Sequence, residues 1–310
     1  MRQNYSNENL KIMERYYIIG GHRFRITGKE ADAIQNIPGF EPFEVKEPAD
    51  IKFTIRLESG GYGAELAVLC KSEILYTFSF DNVKCTFTHP SIGYSFFMTA
   101  QNKEPLEMYC SPERQECVIT GNKAPRKLHF ALWIAYGLLT TAQQTIAIHS
   151  SVIAYHDKAI LFLGESGTGK STHTRLWQQY IPETTLLNDD SPILRVINGK
   201  PYIYGSPWSG KTPCYRNERM ELAGVVRLSQ APYNHIRKLQ TLEAFGALYP
   251  SCPPAFARDT ILSEQLCATL SKVLSYVPVW HLACLPNAEA AQLSYHTIFQ
   301  PNNFQTSEMK

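Results

Sequence analysis

Two stretches of the sequence have the spacing of a phosphate-binding loop: a glycine, four variable residues, Gly-Lys, and then Ser or Thr. They are GESGTGKS at 164–171 and GSPWSGKT at 205–212. In such a loop the glycines let backbone N–H groups face phosphate oxygens, the lysine reaches the β and γ phosphates, and the hydroxyl binds Mg²⁺. We expect at most one of the two stretches to bind a nucleotide.

The residues on either side favour the first stretch. The apolar run AILFL predicts a buried strand before it, and KSTHTRLWQQY contains no glycine or proline and predicts a helix after it. In the second stretch, Pro207 and Pro213 remove backbone N–H groups or restrict the turn. The residues predicted to bind the nucleotide are therefore Gly164, Glu165, Ser166, Gly167, Thr168, Gly169, Lys170, Ser171 and Thr172.

The sequence leaves two interpretations open for the second stretch. It is either an ordinary surface loop, or a loop that folds over the first stretch and brings Lys211 or Arg216 to a substrate phosphate. An independent second phosphate-binding loop is not expected there.

Two adjacent acids, Asp189 and Asp190, end the apolar segment TTLLNDD. A strand that ends in paired carboxylates beside a phosphate-binding strand can supply a ligand for Mg²⁺ and a base for an acceptor hydroxyl. The other interpretation is a simple turn, because the residues of NDDSP all favour turns. His149 precedes the loop strand, and a histidine there, taken alone, is more often structural than catalytic.

Length and composition bound the class of protein. With 310 residues, 44% of them hydrophobic, the chain is expected to form two domains. A net charge of +2 without a basic face or charged tail argues against nucleic acid or a membrane as partner. The eight cysteines contain no CxxC pair, which argues against a zinc cluster or a disulfide framework. The N-terminus does not read as a signal peptide, and we expect a soluble, cytoplasmic protein.

The pattern of segments predicts a fold of class α+β or α/β. Residues 1–124 contain short segments rich in aromatic and β-branched residues, such as IKFTIRL, ILYTFSF, VKCTFT and YSFFMT, which predict an antiparallel β domain with one face in water. In 125–310, a helix over 125–145 begins a second domain in which strands and helices follow one another. That order predicts an α/β domain around the phosphate-binding loop.

The stretch IHSSVIAYHDKAILFLGESGTGKST, followed by LLNDDSPIL, resembles the catalytic domain of the HPr kinase/phosphorylase family. That family has a histidine on the strand before the loop, a loop of the form G-x-S-G-x-G-K-S and a strand ending in Asp-Asp. In this sequence the matching positions are His149, 164–171, Asp189 and Asp190. The family's fold is related to that of ATP-dependent phosphoenolpyruvate carboxykinase.

A weaker likeness follows at MELAGVV, 220–226. Glu221 and Gly224 match the family's metal-associated segment, and Ala223 stands where the family has arginine. The residue after the loop serine is Thr172, where the family usually has glutamate. The resemblance covers about 125–230.

The resemblance implies an ATP-dependent P-loop kinase that transfers the γ-phosphoryl group to a serine hydroxyl, with ATP and Mg²⁺ as cofactors. It implies catalytic roles for Asp189, Asp190, His149 and Lys170, with one aspartate as the base, and a Mg²⁺ site formed by Ser171, Asp190 and Glu221. The acceptor is left open between a small protein such as HPr, a precursor peptide and a small molecule. A homo-oligomer and a recognition role for the N-terminal domain follow only by analogy. The alternative is a nucleotide-responsive binding protein without phosphotransfer.

Overall fold

The computed structural model describes residues 12–46, 50–60, 73–89, 92–210 and 212–300. The chain divides into two compact units. The first contains most of the chain up to 139, and the second contains 140 onward together with the short segments 19–21 and 39–43.

The first unit is built on one nine-stranded sheet with the strand order β3-β1-β2-β4-β9-β8-β7-β6-β5. Its strands are β1 Met13–Ile19, β2 His22–Gly28, β3 Glu44–Val45, β4 Phe53–Leu57, β5 Glu73–Phe80, β6 Val83–His89, β7 Tyr94–Thr99, β8 Leu106–Cys110 and β9 Glu116–Gly121. All four strand segments quoted from the sequence lie within or overlap these strands.

The prediction of an antiparallel N-terminal domain is correct only in part. Strands β5 to β9 form an antiparallel meander, whereas β4 pairs in parallel with both β2 and β9. The sheet is therefore mixed. Alternation of apolar and polar residues predicts that a segment is a strand. It does not reveal which strands are neighbours, and the parallel pair of β4 and β9 joins segments far apart in the chain.

Helix α1, Pro125–Thr140, belongs with the first unit as far as Leu139. The sequence predicted that it would open the second domain. Its aromatic side chains pack on the first sheet. The ring centroids of Phe130 and Phe80 are 4.4 Å apart, and those of Tyr136 and Phe24 are 6.2 Å apart. The helix thus buries its apolar face against the strands that precede it in the chain.

The second unit contains another nine-stranded mixed sheet. Its strands are β10 Thr145–Ala147, β11 Ser150–Tyr155, β12 Lys158–Leu163, β13 Thr184–Asp190, β14 Ile193–Ile197, β15 Lys200–Tyr204, β16 Arg219–Gln230, β17 His235–Lys238 and β18 Val279–Cys284. The central order is β10-β14-β15-β16-β12-β11-β13, with β18 beside β16 and β17 beside β18. The pairs β12–β16 and β16–β18 are parallel.

Among the described residues of this unit, the α-helices beside the sheet are α2 Lys170–Tyr180, α3 Thr241–Leu248, α4 Thr260–Tyr276 and α5 Ala288–Phe299. The segment KSTHTRLWQQY, predicted to be a helix, coincides with α2. Trp177 on α2 is fully buried in a core that also contains Phe162 of β12 and Ala291 of α5. Its indole N–H donates to the Ser294 hydroxyl at 3.0 Å, which fixes α2 between the sheet and α5.

These findings confirm the coarse fold class, which is mixed α/β with a β-rich N-terminal part. Seven cysteines in the described ranges are free thiols, and Cys70 lies outside those ranges. Among the described residues, no helix is both long and apolar enough to cross a membrane.

The buried His173 on α2 predicts a pH-dependent stability. Its Nε2 atom lies 3.3 Å from the Trp177 indole nitrogen, and burial lowers its pKa to about 3. Below about pH 6.5 the unfolded chain binds a proton at this position that the native protein does not bind, so stability falls as the pH falls from about 6.5 towards 3.

Between pH 7 and pH 5, His173 should cost the wild-type protein on the order of 2 kcal/mol of unfolding free energy. Urea denaturation at both pH values should show a smaller loss in His173→Asn, whatever its absolute stability. His235→Asn, at an exposed position of β17, serves as the control and should keep the wild-type pH dependence. Equal losses in wild type and His173→Asn would show that the buried imidazole does not cause the effect.

Candidate functional site

The first phosphate-loop stretch connects the end of β12 to the start of α2. Gly169 precedes the helix with a φ of 101°, and its carbonyl accepts the first helical hydrogen bond, from His173 N–H at 2.8 Å. A side chain at Gly164 would collide with Thr168, whose hydroxyl donates to the Glu165 carbonyl at 2.8 Å. The glycines therefore permit a tight loop at a helix N-terminus, where backbone N–H groups and the helix dipole favour an anion.

Lys170 turns its side chain back under this loop. Its ammonium donates to the carbonyl of Gly164 at 2.8 Å, to that of Glu165 at 3.3 Å, and to Nε2 of His149 at 3.1 Å. Burial lowers the pKa of Lys170, and the nearby carboxylates of Asp190 and Asp189 oppose that effect. A positive charge is thus held at the loop by fixed oxygen and nitrogen acceptors.

Asp189 is buried beside the start of α2. Strand β13 pairs with β11 so that Asp189 lies opposite Ser151, and the Ser151 hydroxyl donates to Asp189 Oδ1. The Ser171 hydroxyl donates to the same oxygen at 3.1 Å. One carboxylate oxygen therefore joins two strands of the sheet to the loop serine.

Asp190 faces a different set of groups. Its Oδ1 lies 3.2 Å from Nδ1 of His149, whose Nε2 faces the Lys170 ammonium. Since an ammonium can only donate, Nε2 acts as acceptor, and the proton of a neutral His149 then resides on Nδ1 and is shared with Asp190. Both side chains are 46% exposed and are therefore open to solvent.

The resemblance implies that His149 lies on the strand before the loop. The structure instead ends β10 at Ala147 and begins β11 at Ser150, with His149 in the break. Its backbone N–H donates to the Ser251 carbonyl at 2.8 Å rather than to a neighbouring strand. Because His149 lies between two strands, its side chain does not follow the alternation of either strand, and the imidazole contacts Lys170 and Asp190.

Asp190 has an unusual backbone, with a φ of 138°. A non-glycine residue in that region stores strain of about 1–3 kcal/mol and persists only where its surroundings hold it. The surroundings here are the second loop: Gly210 N–H donates to the Asp189 carbonyl at 2.6 Å, and Ser209 forms a β-bridge with Asp190.

The described residues of the loop 205–217 pack against β13 and do not form a free surface segment. The buried Asn188 amide donates to oxygens of Ser206 at 3.2 and 3.3 Å and of Cys214 at 3.4 Å, which ties the loop to β13. Arg216 forms an ion pair with Glu218 at 3.3 Å. Lys211 lies outside the described residues.

Glu221, expected among the metal ligands, lies away from the others. It pairs with Lys158 at 3.1 Å, opposite the first residue of β12, whereas the phosphate loop follows the last residue, Leu163. Five residues of strand separate these positions by about 16 Å. The expectation failed because a local sequence match does not specify the register of two parallel strands.

Asp190 was expected to bind Mg²⁺ together with Ser171. The Ser171 hydroxyl instead contacts Asp189, which makes Asp189 the better candidate for a metal ligand. In the described part of the chain, no three His, Cys, Asp or Glu side chains converge as a metal site. The paired oxygens of Ser171 and Asp189 are hard ligands of the type Mg²⁺ prefers, and Mg²⁺ usually takes only one or two carboxylates from the protein. These two residues fit the ion that the sequence predicts.

Three residues near the loop were not predicted. Ser151 contacts Asp189 as described, Gln230 Nε2 donates to the Gly167 carbonyl at 3.1 Å, and Arg227 Nη2 lies 3.9 Å from the Glu165 carboxylate. Arg227 and Gln230 belong to β16, beside β12. Ser151 could have been found, since it belongs to the matched IHSS segment, but the β16 residues depend on non-local pairing.

The sequence matches no protein-family model, and no curated protein matches it significantly.

The strained backbone of Asp190 predicts that glycine at this position gives a more stable protein than alanine, which reverses the usual order of stability of such variants. Glycine adopts a positive φ without the penalty of a Cβ atom, so Asp190→Gly should be about 1 kcal/mol more stable to unfolding than Asp190→Ala. Both variants lose the carboxylate, so their difference in urea denaturation isolates the backbone term. At Asp157, whose φ is not positive, Asp157→Gly should be no more stable than Asp157→Ala. An Asp190→Ala protein as stable as Asp190→Gly would show that position 190 is not strained.

Proposed function

We propose that this chain is an ATP-dependent kinase that transfers the γ-phosphoryl group of ATP to a serine hydroxyl of a small protein or peptide. One observation carries the proposal: adjacent aspartates at the end of β13 have different partners. Asp189 binds the hydroxyl of Ser171 on the loop, and Asp190 binds His149, which in turn faces Lys170. A site that only binds a nucleotide requires the contact between Asp189 and Ser171. It does not require a second carboxylate paired with His149.

The loop would bind the phosphates of ATP. The backbone N–H groups of 164–171 and the dipole of α2 favour an anion, and Lys170 adds a formal charge. When ATP enters, the Lys170 ammonium exchanges its bonds to the Gly164 and Glu165 carbonyls for phosphate oxygens. Ser171 and Asp189 would hold Mg²⁺, which neutralises charge on the phosphates.

Asp190 would act as the base, with His149 positioning it. The acceptor oxygen attacks the γ phosphorus, the bond from that phosphorus to the β,γ-bridging oxygen breaks, and ADP leaves with that oxygen. The proton of the hydroxyl passes to the Asp190 carboxylate, which is open to solvent on one side. The hydrogen bond from His149 Nδ1 keeps that carboxylate oriented towards the loop.

A protein such as HPr, a precursor peptide or a small molecule would each present a hydroxyl to Asp190. The β-rich N-terminal unit would recognise the acceptor, and a cytoplasmic location and a homo-oligomer remain predictions from the sequence.

Labelling of an acceptor tests the proposal. Purified wild-type protein with Mg²⁺ and γ-labelled ATP, added to a lysate of its own source, should label a discrete protein or small molecule, resolved by gel and by thin-layer chromatography. Lys170→Ala should lose at least about 100-fold of the labelling rate, since it removes the charge that holds the phosphates. Glu183→Gln, which changes an exposed carboxylate paired with His156, should label at the wild-type rate.

Absence of any labelled acceptor, together with ATP binding that depends on Lys170, would contradict phosphotransfer. It would favour the nucleotide-responsive binding protein instead. Labelling that survives Lys170→Ala would show that another protein in the preparation is the kinase.

A further inference from the structure

A cavity of about 410 Å³ opens where the phosphate loop meets the end of β16. It is lined by residues 165–168 of the loop and by residues 227–230 of the strand. Arg227 is the cation of this lining, and its side chain is 29% exposed. The proposed reaction assigns Lys170 to the phosphates of ATP and gives the charge of Arg227 no partner.

The strand pairing places Arg227 on the same face of the sheet as Asp190. Asp190 lies opposite Ser150, and Leu163 lies opposite Arg227. The register of β11 against β12 brings Ser150 beside Leu163, which completes one row across four strands. Side chains that lie opposite one another on neighbouring strands share a face. Three strand spacings of about 4.8 Å then separate Asp190 from Arg227 by about 14 Å.

The end of α3 and the turn after it connect the two ends of this row. Nη1 of Arg227 donates to the Ala247 carbonyl at 3.3 Å. Further along the same segment, the Ser251 carbonyl accepts the backbone N–H of His149 at 2.8 Å, and the His149 ring contacts Asp190. The segment 247–251 therefore holds Arg227 at a fixed place relative to the carboxylate proposed as the base.

The charges along the row leave Arg227 available for an anionic ligand. His281 lies opposite Arg227, and Arg237 lies opposite His281. The guanidinium of Arg237 forms two hydrogen bonds with Glu243, at 2.8 and 3.0 Å. Burial, followed by the charge of Arg237, lowers the pKa of His281, so that ring is neutral near neutral pH. Arg227 has a looser contact, since its Nη2 lies 3.9 Å from the carboxylate of Glu165, which is 86% exposed. An incoming carboxylate can therefore replace Glu165 at little cost.

We infer that Arg227 binds a carboxylate of the acceptor, and that the acceptor is an acidic peptide segment with a Glu or Asp about four residues from the serine. An extended chain rises about 3.3 Å per residue, so residues four apart are separated by about 13 Å and point to the same side. That spacing matches the separation of Asp190 from Arg227. The inference rests on the proposed function and specifies the acceptor that it leaves open.

The chemistry of the cavity fits a carboxylate. A guanidinium offers parallel N–H groups that match the two oxygens of a carboxylate. Ser229 lines the same cavity, and its hydroxyl lies 3.0 Å from Nε2 of His281. With the His281 proton on Nε2, the Ser229 hydroxyl accepts that hydrogen bond and donates its own hydrogen to the anion.

A peptide library tests the inference. The purified full chain, with Mg²⁺ and γ-labelled ATP, is given synthetic peptides that contain one serine in a background of Ala and Gly. Each peptide carries a single Glu or Lys at one position on either side of the serine. Wild type should label the peptide with Glu about four residues from the serine at least about tenfold faster than the matching Lys peptide. Arg227→Gln should abolish this preference, Arg227→Glu should reverse it in favour of Lys, and Arg227→Lys should keep its direction.

Arg237→Gln is the matched control, because it removes a guanidinium of the same row whose charge is already balanced by Glu243. It should keep the wild-type preference for Glu. Every variant should also keep the wild-type half-saturating concentration of ATP, which shows that the protein is folded. If Arg227→Glu does not fold, Arg227→Gln and Arg227→Lys decide the matter.

The outcomes that overturn the inference differ from those that overturn the proposed function. If wild type labels Glu and Lys peptides equally, or labels an acceptor in the lysate but no peptide of the library, the acceptor is not an acidic peptide and the proposed function stands. A higher half-saturating concentration of ATP in Arg227→Gln, with an unchanged peptide preference, would show that Arg227 binds the nucleotide instead. If wild type labels neither a peptide nor an acceptor in the lysate, the proposed function fails and this inference fails with it.

Discussion

The Lys170 ammonium is the charge around which the rest of the site is arranged. A buried ammonium costs several kcal/mol unless it is hydrogen-bonded and balanced by nearby negative charge. Here the Gly164 and Glu165 carbonyls and the His149 ring accept its hydrogen bonds, and the carboxylates of Asp189 and Asp190 balance it. The tight loop, the break in the strand at His149 and the position of β13 all serve to place those acceptors.

The pleat of β13 explains how two adjacent acids can take different roles. Successive side chains of a strand point to opposite faces, so Asp189 and Asp190 form their close polar contacts with different partners, Ser151 and Ser171 for the first and His149 for the second. The pairing of Asp189 with Ser151 fixes the register, and a slip of one residue would exchange the two carboxylates. The bridge from Ser209 then holds Asp190 in its strained backbone conformation. Asp190 is the one residue of β13 with a positive φ.

Local features of this chain could be predicted from its sequence, and non-local ones could not. The loop, α2 and the Asp-Asp strand end follow from contiguous residues whose hydrophobic pattern and glycine content determine their conformation. The distance of Glu221 from the loop and the proximity of Arg227 both depend on the register of β16 against β12, which joins segments far apart in the chain. Helix α1 was assigned to the wrong neighbour for the same reason: its apolar face does not specify which sheet covers it. The strained backbone at Asp190 depends on contacts with the loop 205–217, and the residues next to Asp190 in the sequence do not predict it.

The different roles of Asp189 and Asp190 are the central claim, and the Mg²⁺ dependence of the rate at which the purified full chain transfers the γ-phosphoryl group of ATP to its acceptor tests it most directly. If Asp189 holds the metal and Asp190 acts on the acceptor, Asp189→Asn should raise the Mg²⁺ concentration needed for half-maximal rate by at least about tenfold. Asp190→Asn should leave that concentration unchanged and lower the maximal rate by about 10²–10⁴-fold. The same Mg²⁺ dependence and the same rate loss in both variants, or no loss in either, would contradict the account.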